Sequence, residues 1–90
     1  MTRVRIPPVL RAEAGGERQV EVDGDTVREL LDDLAERFPP LRSRLFENGE
    51  LAPFVNVYVG GEDVRTLDGL DTSVNGSSDV ILLPAMAGGH

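Results

Sequence analysis

The sequence predicts an α+β domain in which a mixed sheet of about five strands packs on one main helix. Three observations predict it. Two short segments near the start alternate polar and apolar residues, as half-buried strands do. A capped amphipathic segment of helical period follows them. Two runs rich in β-branched and aliphatic residues then lie between glycine turns and a proline.

The first strand is read at Arg3-Val4-Arg5-Ile6, and Pro7-Pro8 ends it. Arg11 to Glu17 contains Gly15-Gly16 and reads as a turn. Arg18 to Asp23 alternates again, with Val20 and Val22 on one face, so the pair is expected to form an antiparallel hairpin around a short glycine turn. Thr26 and Glu29 have the spacing of a capping box, in which each side chain satisfies a backbone N–H of the first turn. Val27, Leu30, Leu31, Leu34, Ala35 and Phe38 then form one apolar stripe on a helix of about three turns. Pro39-Pro40 stops it.

Leu41 to Pro53 is less regular, and its apolar residues fit either a short helical turn or a packed loop; Asn48-Gly49 is a turn signal. Phe54 to Val59 is a strand, with Val55, Val57 and Val59 on one face and Phe54, Asn56 and Tyr58 on the other. Gly60-Gly61 is a hairpin turn from which Glu62 to Arg65 returns as a short strand. Asn75 to Asp79 reads as a further turn. Val80-Ile81-Leu82-Leu83 is a continuous apolar run of the kind a central strand carries, and Pro84 ends it. The ordered domain is therefore read as residues 1–84. Residues 85–90, Ala85-Met86-Ala87-Gly88-Gly89-His90, have no period and are expected to form a flexible tail.

Composition narrows function mainly by exclusion. The 90 residues carry a net charge of −7, which opposes binding to phosphate backbones and to anionic membranes. No apolar run approaches the roughly 20 residues of a membrane helix. The start of the chain lacks the apolar core of a secretory signal, so a cytoplasmic location is expected. There is no Cys, which removes disulfides, thiolate nucleophiles and Cys-based metal sites. The single His, His90, is not placed to act in a catalytic triad. The pairs Asp32-Asp33 and Glu62-Asp63 read as solvated faces. Neither Gly15-Gly16 nor Gly60-Gly61 has the spacing or the Lys of a phosphate-binding loop. No catalytic residue and no metal ligand is assigned.

What remains is the terminal Gly88-Gly89. Two residues without Cβ can thread a narrow channel in extended form, and a glycine carboxylate is open to attack on a nucleotide. In this context the chain resembles the β-grasp, ubiquitin-like sulfur carriers. That family includes the small subunit of molybdopterin synthase, the thiamin-pathway sulfur carrier and the actinobacterial carrier for cysteine synthesis. The resemblance rests on Phe54 to Val59, on Glu62-Asp63-Val64-Arg65 after the turn, and on Val80-Ile81-Leu82-Leu83-Pro84-Ala85-Met86-Ala87-Gly88-Gly89. The length and the Leu41 to Pro53 insert look closest to the cysteine-pathway carrier.

The resemblance implies a protein co-substrate and not an enzyme. An E1-like adenylating enzyme would activate Gly89 with ATP. A sulfur donor of rhodanese or desulfurase type would convert the adenylate to a thiocarboxylate. A sulfur-accepting synthase would then receive the sulfur, for cysteine, molybdopterin, thiamin or a specialised metabolite. Gly88 would give clearance, and Ala85, Met86 and Ala87 would thread the partner's channel. Phe54 and Tyr58 are candidates for the docking face, with burial beneath the insert as the other reading. The carrier itself would bind no cofactor, since ATP belongs to the partner. His90 departs from the family, whose active form ends in Gly-Gly; either a peptidase removes it or it is a remnant of expression. The alternative is a ubiquitin-like interaction module or protein modifier without sulfur transfer.

Overall fold

The computed structural model describes residues 2–74 and 79–84. The expected turn at Asn75–Ser78 and the whole segment Ala85–His90 lie outside the described residues. Strand β1 (Thr2–Arg5) alternates buried and exposed side chains, as its sequence requires. Strand β2 (Gln19–Val22) pairs with it antiparallel, with Val4 opposite Val20 and Arg3 opposite Glu21. The link between them is not the short glycine turn expected from the sequence. It occupies residues 6–18 and winds through two single 3-10 turns, Pro8–Leu10 and Ala12–Ala14. Pro8 suits the first position of its turn, where no N–H is needed. Leu10 and Ala14 are buried, and Arg11 Nε donates to the Ile6 carbonyl at 3.1 Å. The segment is therefore packed into the core.

Helix α1 (Val27–Arg37) follows, with Val27, Leu30, Leu31, Leu34 and Ala35 all buried. Thr26 Oγ1 accepts from the Glu29 N–H at 3.2 Å, the first half of the expected capping box. The second half is shifted by one residue: Glu29 Oε1 accepts from the Asp25 N–H at 2.7 Å. Gly24 makes this possible. A Cβ there would lie 2.7 Å from Glu29 Cβ and 2.8 Å from Leu30 N, so only glycine lets the entering chain press this closely on the first turn. Thr26→Ala is expected to lower stability by about 1 kcal/mol, read as a reduced urea midpoint with an unchanged m-value.

The Leu41 to Pro53 segment combines both expected forms. A 3-10 turn (Pro39–Leu41) leads into α2 (Arg42–Leu45), then into a small hairpin of β3 (Phe46–Glu47) and β4 (Glu50–Leu51). Leu41 and Leu45 are fully buried beneath it.

Strand β5 (Val55–Val59) begins one residue later than expected, leaving Phe54 outside it. It turns through Gly60-Gly61, with φ of +59° and +86° as a tight hairpin turn needs, into β6 (Glu62–Asp63). The returning strand is shorter than the expected Glu62 to Arg65. Asp63 Oδ1 accepts from the Arg65 N–H at 2.9 Å and bends the chain into a 3-10 turn, Val64–Thr66.

Strand β7 (Asp79–Pro84) runs parallel to β1 on one side and antiparallel to β5 on the other. The sheet order is β2-β1-β7-β5-β6, so the apolar run is central as expected. Val80 and Leu82 face α1 and are buried, whereas Leu83 is exposed. The core lies between one sheet face and α1; among the described residues no helix covers the other face. The architecture is the β-grasp, a mixed five-stranded sheet with one main helix.

Candidate functional site

The Gly-Gly segment follows directly on β7. Its residues, Ala85, Met86, Ala87, Gly88, Gly89 and His90, lie outside the described residues, so the geometry concerns their root at Pro84 and the surfaces beside it. Pro84 pairs with Val55, Leu83 with Asn56 and Leu82 with Val57. On the other side the β1 pairing covers Asp79, Val80 and Ile81, opposite Arg3, Val4 and Arg5. Among the described pairings the last three residues of β7 therefore meet β5 alone.

Two surfaces flank this exit. The first is the open sheet face. The register sets Ile81 opposite Tyr58 and Leu83 opposite Asn56, with Arg3 and Arg5 on the adjacent strand. Tyr58 also faces Asp63 across the hairpin and is half-buried. An apolar centre with flanks of mixed charge results, since Arg3 lies 3.8 Å from Glu21 and opposite Asp79. Arg65 braces it: Nη1 donates to Asn56 Oδ1 at 2.6 Å and Nη2 to the Ala52 carbonyl at 2.7 Å. These bonds tie β5 to the segment that carries Phe54.

The second surface lies at the end of the sheet. Val9, Leu10, Arg44, Phe54, Val55 and Pro84 line a groove of about 210 Å³. Val9 is 63 % exposed and Phe54 is 43 % exposed, high values for side chains that gain from burial. Arg44 sits on the groove wall with Nη2 3.3 Å from Glu13 Oε2. Phe54, expected with Tyr58 on one docking face, lines the groove about 13 Å along the strand from Tyr58. Neither is buried beneath the insert.

Sequence reasoning missed the groove, Val9 and Arg44 included. Four separate segments build it, and no local pattern signals such a meeting. Exposed Val9 after a Pro-Pro pair was the one available hint. Elsewhere the acids of α1 are partly paired, Asp33 with Arg37 and Asp32 with Arg42, each at 3.3 Å. Among the described residues no three His, Asp or Glu side chains gather as metal ligands do. None of the described helices is long and apolar enough to cross a membrane.

Residues 4–89 match the ThiS family. The sulfur carrier protein CysO of Mycobacterium tuberculosis is 40 % identical over 89 residues, which is 96 % of each chain. The crystal structure of the Amycolatopsis orientalis BexX/CysO complex contains a chain of the same fold, with a TM-score of 0.91 and 42 % identity, over 98 % of this chain and 99 % of that one. The solution structure of small archaeal modifier protein 1 from Methanosarcina acetivorans matches with a TM-score of 0.84 and 29 % identity, over 97 % of this chain and 94 % of that one.

Proposed function

This chain belongs to the ThiS family and is a sulfur carrier protein, and we propose that Gly89 is the residue that carries the sulfur. The observation behind this reading is where the family likeness stops: it runs through residue 89 and leaves His90 outside. Loading then requires a free carboxylate at Gly89, so a chain that carries His90 is loaded only after a peptidase removes it.

The chemistry is an acyl activation followed by a substitution. A carboxylate oxygen of Gly89 attacks the α-phosphorus of ATP and pyrophosphate leaves. Hydrosulfide attacks the acyl carbon; from a rhodanese-type or desulfurase donor the terminal sulfur of a persulfide attacks instead, and a thiol then reduces the acyl disulfide so formed. AMP leaves with its bonding electrons, and a thiocarboxylate remains. The carrier works with partner enzymes, as its likeness to the chain in the BexX/CysO complex supports. Here they are an adenylating enzyme, which holds ATP, and a synthase that accepts the sulfur. The likeness to CysO favours cysteine biosynthesis as the destination. The cytoplasm, where ATP is at hand, is the proposed location.

This chain contributes a thin, reactive end on a firm base. Five residues beyond Pro84 reach about 17 Å when extended, enough to carry Gly89 into a partner while the sheet stays outside. Side chains at 85–89 are small apart from Met86, which suits Ala85, Met86, Ala87 and Gly88 to a narrow channel. The open face around Tyr58 and the exposed Phe54 are the proposed contacts outside it.

Intact mass spectrometry tests the proposal. A chain ending at Gly89, incubated with the adenylating enzyme, ATP and sulfide, is expected to gain about 16 Da as sulfur replaces oxygen. The chain that retains His90 is expected to stay unchanged. No gain with a free Gly89 would overturn the assignment. The likeness to an archaeal modifier keeps a second reading open, in which Gly89 forms an amide with another protein's lysine. Conjugates without any thiocarboxylate would favour that reading. This chain has no lysine of its own, so it forms no such chains with itself.

A further inference from the structure

We infer that the groove at the sheet end is a docking pocket for the adenylating enzyme, which inserts an apolar side chain between Val9 and Phe54 and sets a carbonyl or carboxylate against Arg44. The inference rests on the proposed loading of Gly89 by that enzyme, and it adds a contact apart from the tail and from the open sheet face.

Position is the first argument. Pro84 is both a wall of the groove and the residue from which the Gly-Gly segment departs. An enzyme that encloses the residues after Pro84 has its channel mouth against this wall. The lip of that mouth therefore lies over the groove.

Size decides the kind of occupant. About 210 Å³ is below the roughly 300–1,000 Å³ of pockets that hold nucleotides or other small ligands. It suits one large side chain. Chemistry supports the same choice: Val9, Leu10, Phe54, Val55 and Pro84 offer an apolar lining, and an exposed aromatic is the residue type that interface hot spots favour.

Hydrogen bonding selects what lies beside that side chain. Arg44 is held by Glu13 at one nitrogen and remains half exposed, so it keeps N–H donors facing outward. The Arg44–Glu13 pair is close to neutral as a whole, and the N–H donors that Glu13 leaves unused fit a partner oxygen.

Phe54 is also held ready. Arg65 binds the Ala52 carbonyl, and the Ala52 N–H donates to the Leu45 carbonyl at 2.8 Å, so the segment before Phe54 is fixed at both faces. An aromatic carried on an anchored backbone segment loses little further backbone freedom on docking.

The test measures binding and sulfur gain separately, with the adenylating enzyme of the same genome as the probe. Val9→Asp and Phe54→Ala alter exposed side chains, and a thermal melt confirms that each variant folds. Each is expected to weaken binding to the nucleotide-free enzyme about tenfold or more, and to raise KM for loading with kcat nearly unchanged. Tyr58→Ala, on the other surface, is expected to leave the groove contact intact and add its loss independently in the double variant. Binding by Val9→Asp and Phe54→Ala within twofold of the parent would overturn the groove. Failure of the Gly89 assignment reads differently: the parent chain gains no mass, while the binding losses persist.

Discussion

A chain ending at Ala87 is expected to fold like the parent and to accept no sulfur. Both halves follow from where the energy and the chemistry lie. Among the described residues every core residue falls between Val4 and Leu82, and the last described strand ends at Pro84, so the interior they form is expected to stay packed when residues 88–90 are removed. The melting temperature should move by no more than a surface change moves it. The reactive carboxylate, however, is withdrawn by two residues, about 7 Å. A misplacement of about 1 Å can already reduce a positioned reaction by about 100-fold. The new terminal residue also carries a Cβ where the channel expects none. Intact mass before and after incubation with the adenylating enzyme, ATP and sulfide checks the prediction. A gain of sulfur at Ala87 would show that the glycine pair is not needed.

The second large effect is on stability. Leu34 has no exposed surface and sits in the middle of the α1 stripe, packed in the cluster that joins the helix to β1, β5 and β7. Leu34→Ala removes a buried isobutyl group and leaves a cavity that the rigid sheet fills poorly. The expected loss is about 2–5 kcal/mol. A domain of this size has roughly 5–13 kcal/mol in total. The melting temperature is expected to fall by about 10 °C or more. Glu36→Ala on the exposed side of the same helix is expected to stay within about 0.5 kcal/mol. Urea denaturation with a common m-value is the measurement. A loss below about 1 kcal/mol for Leu34→Ala would mean that α1 is not seated on the sheet as described.

Local rules made the helix the most legible element. Thr26, Glu29 and the Val27 to Phe38 stripe each name a position on it, and only the far end of the capping box moved, through the close approach at Gly24. The β5–β6 hairpin was readable for the same reason, because Gly60-Gly61 is itself a turn. The central place of Val80 to Leu83 was readable from its unbroken apolar character. Its partners were not: the pairing of Val4 with Val80 joins residues from opposite ends of the chain, and nothing near either one specifies it. The link from Ile6 to Arg18 was read as looser than it is, because Leu10 and Ala14 become core residues only once Leu41 and Leu45 are beneath the same layer. The functional site divides likewise. The family likeness pointed to Gly89, a position fixed by linear order. The groove joins Val9, Arg44, Phe54 and Pro84, and such a meeting exists only after folding.

Strand β7 has a further consequence when a partner draws the glycine end into its channel. The pull enters the fold along the axis of that strand. Hydrogen bonds in a sheet lie across the strands, so a load of this direction shears them together instead of opening them singly. Had the reactive end followed β2 or β6, at a sheet border, the same tension would load one ladder instead of two. Continuing from the middle strand would spread a partner's pull over the ladders to β1 and β5.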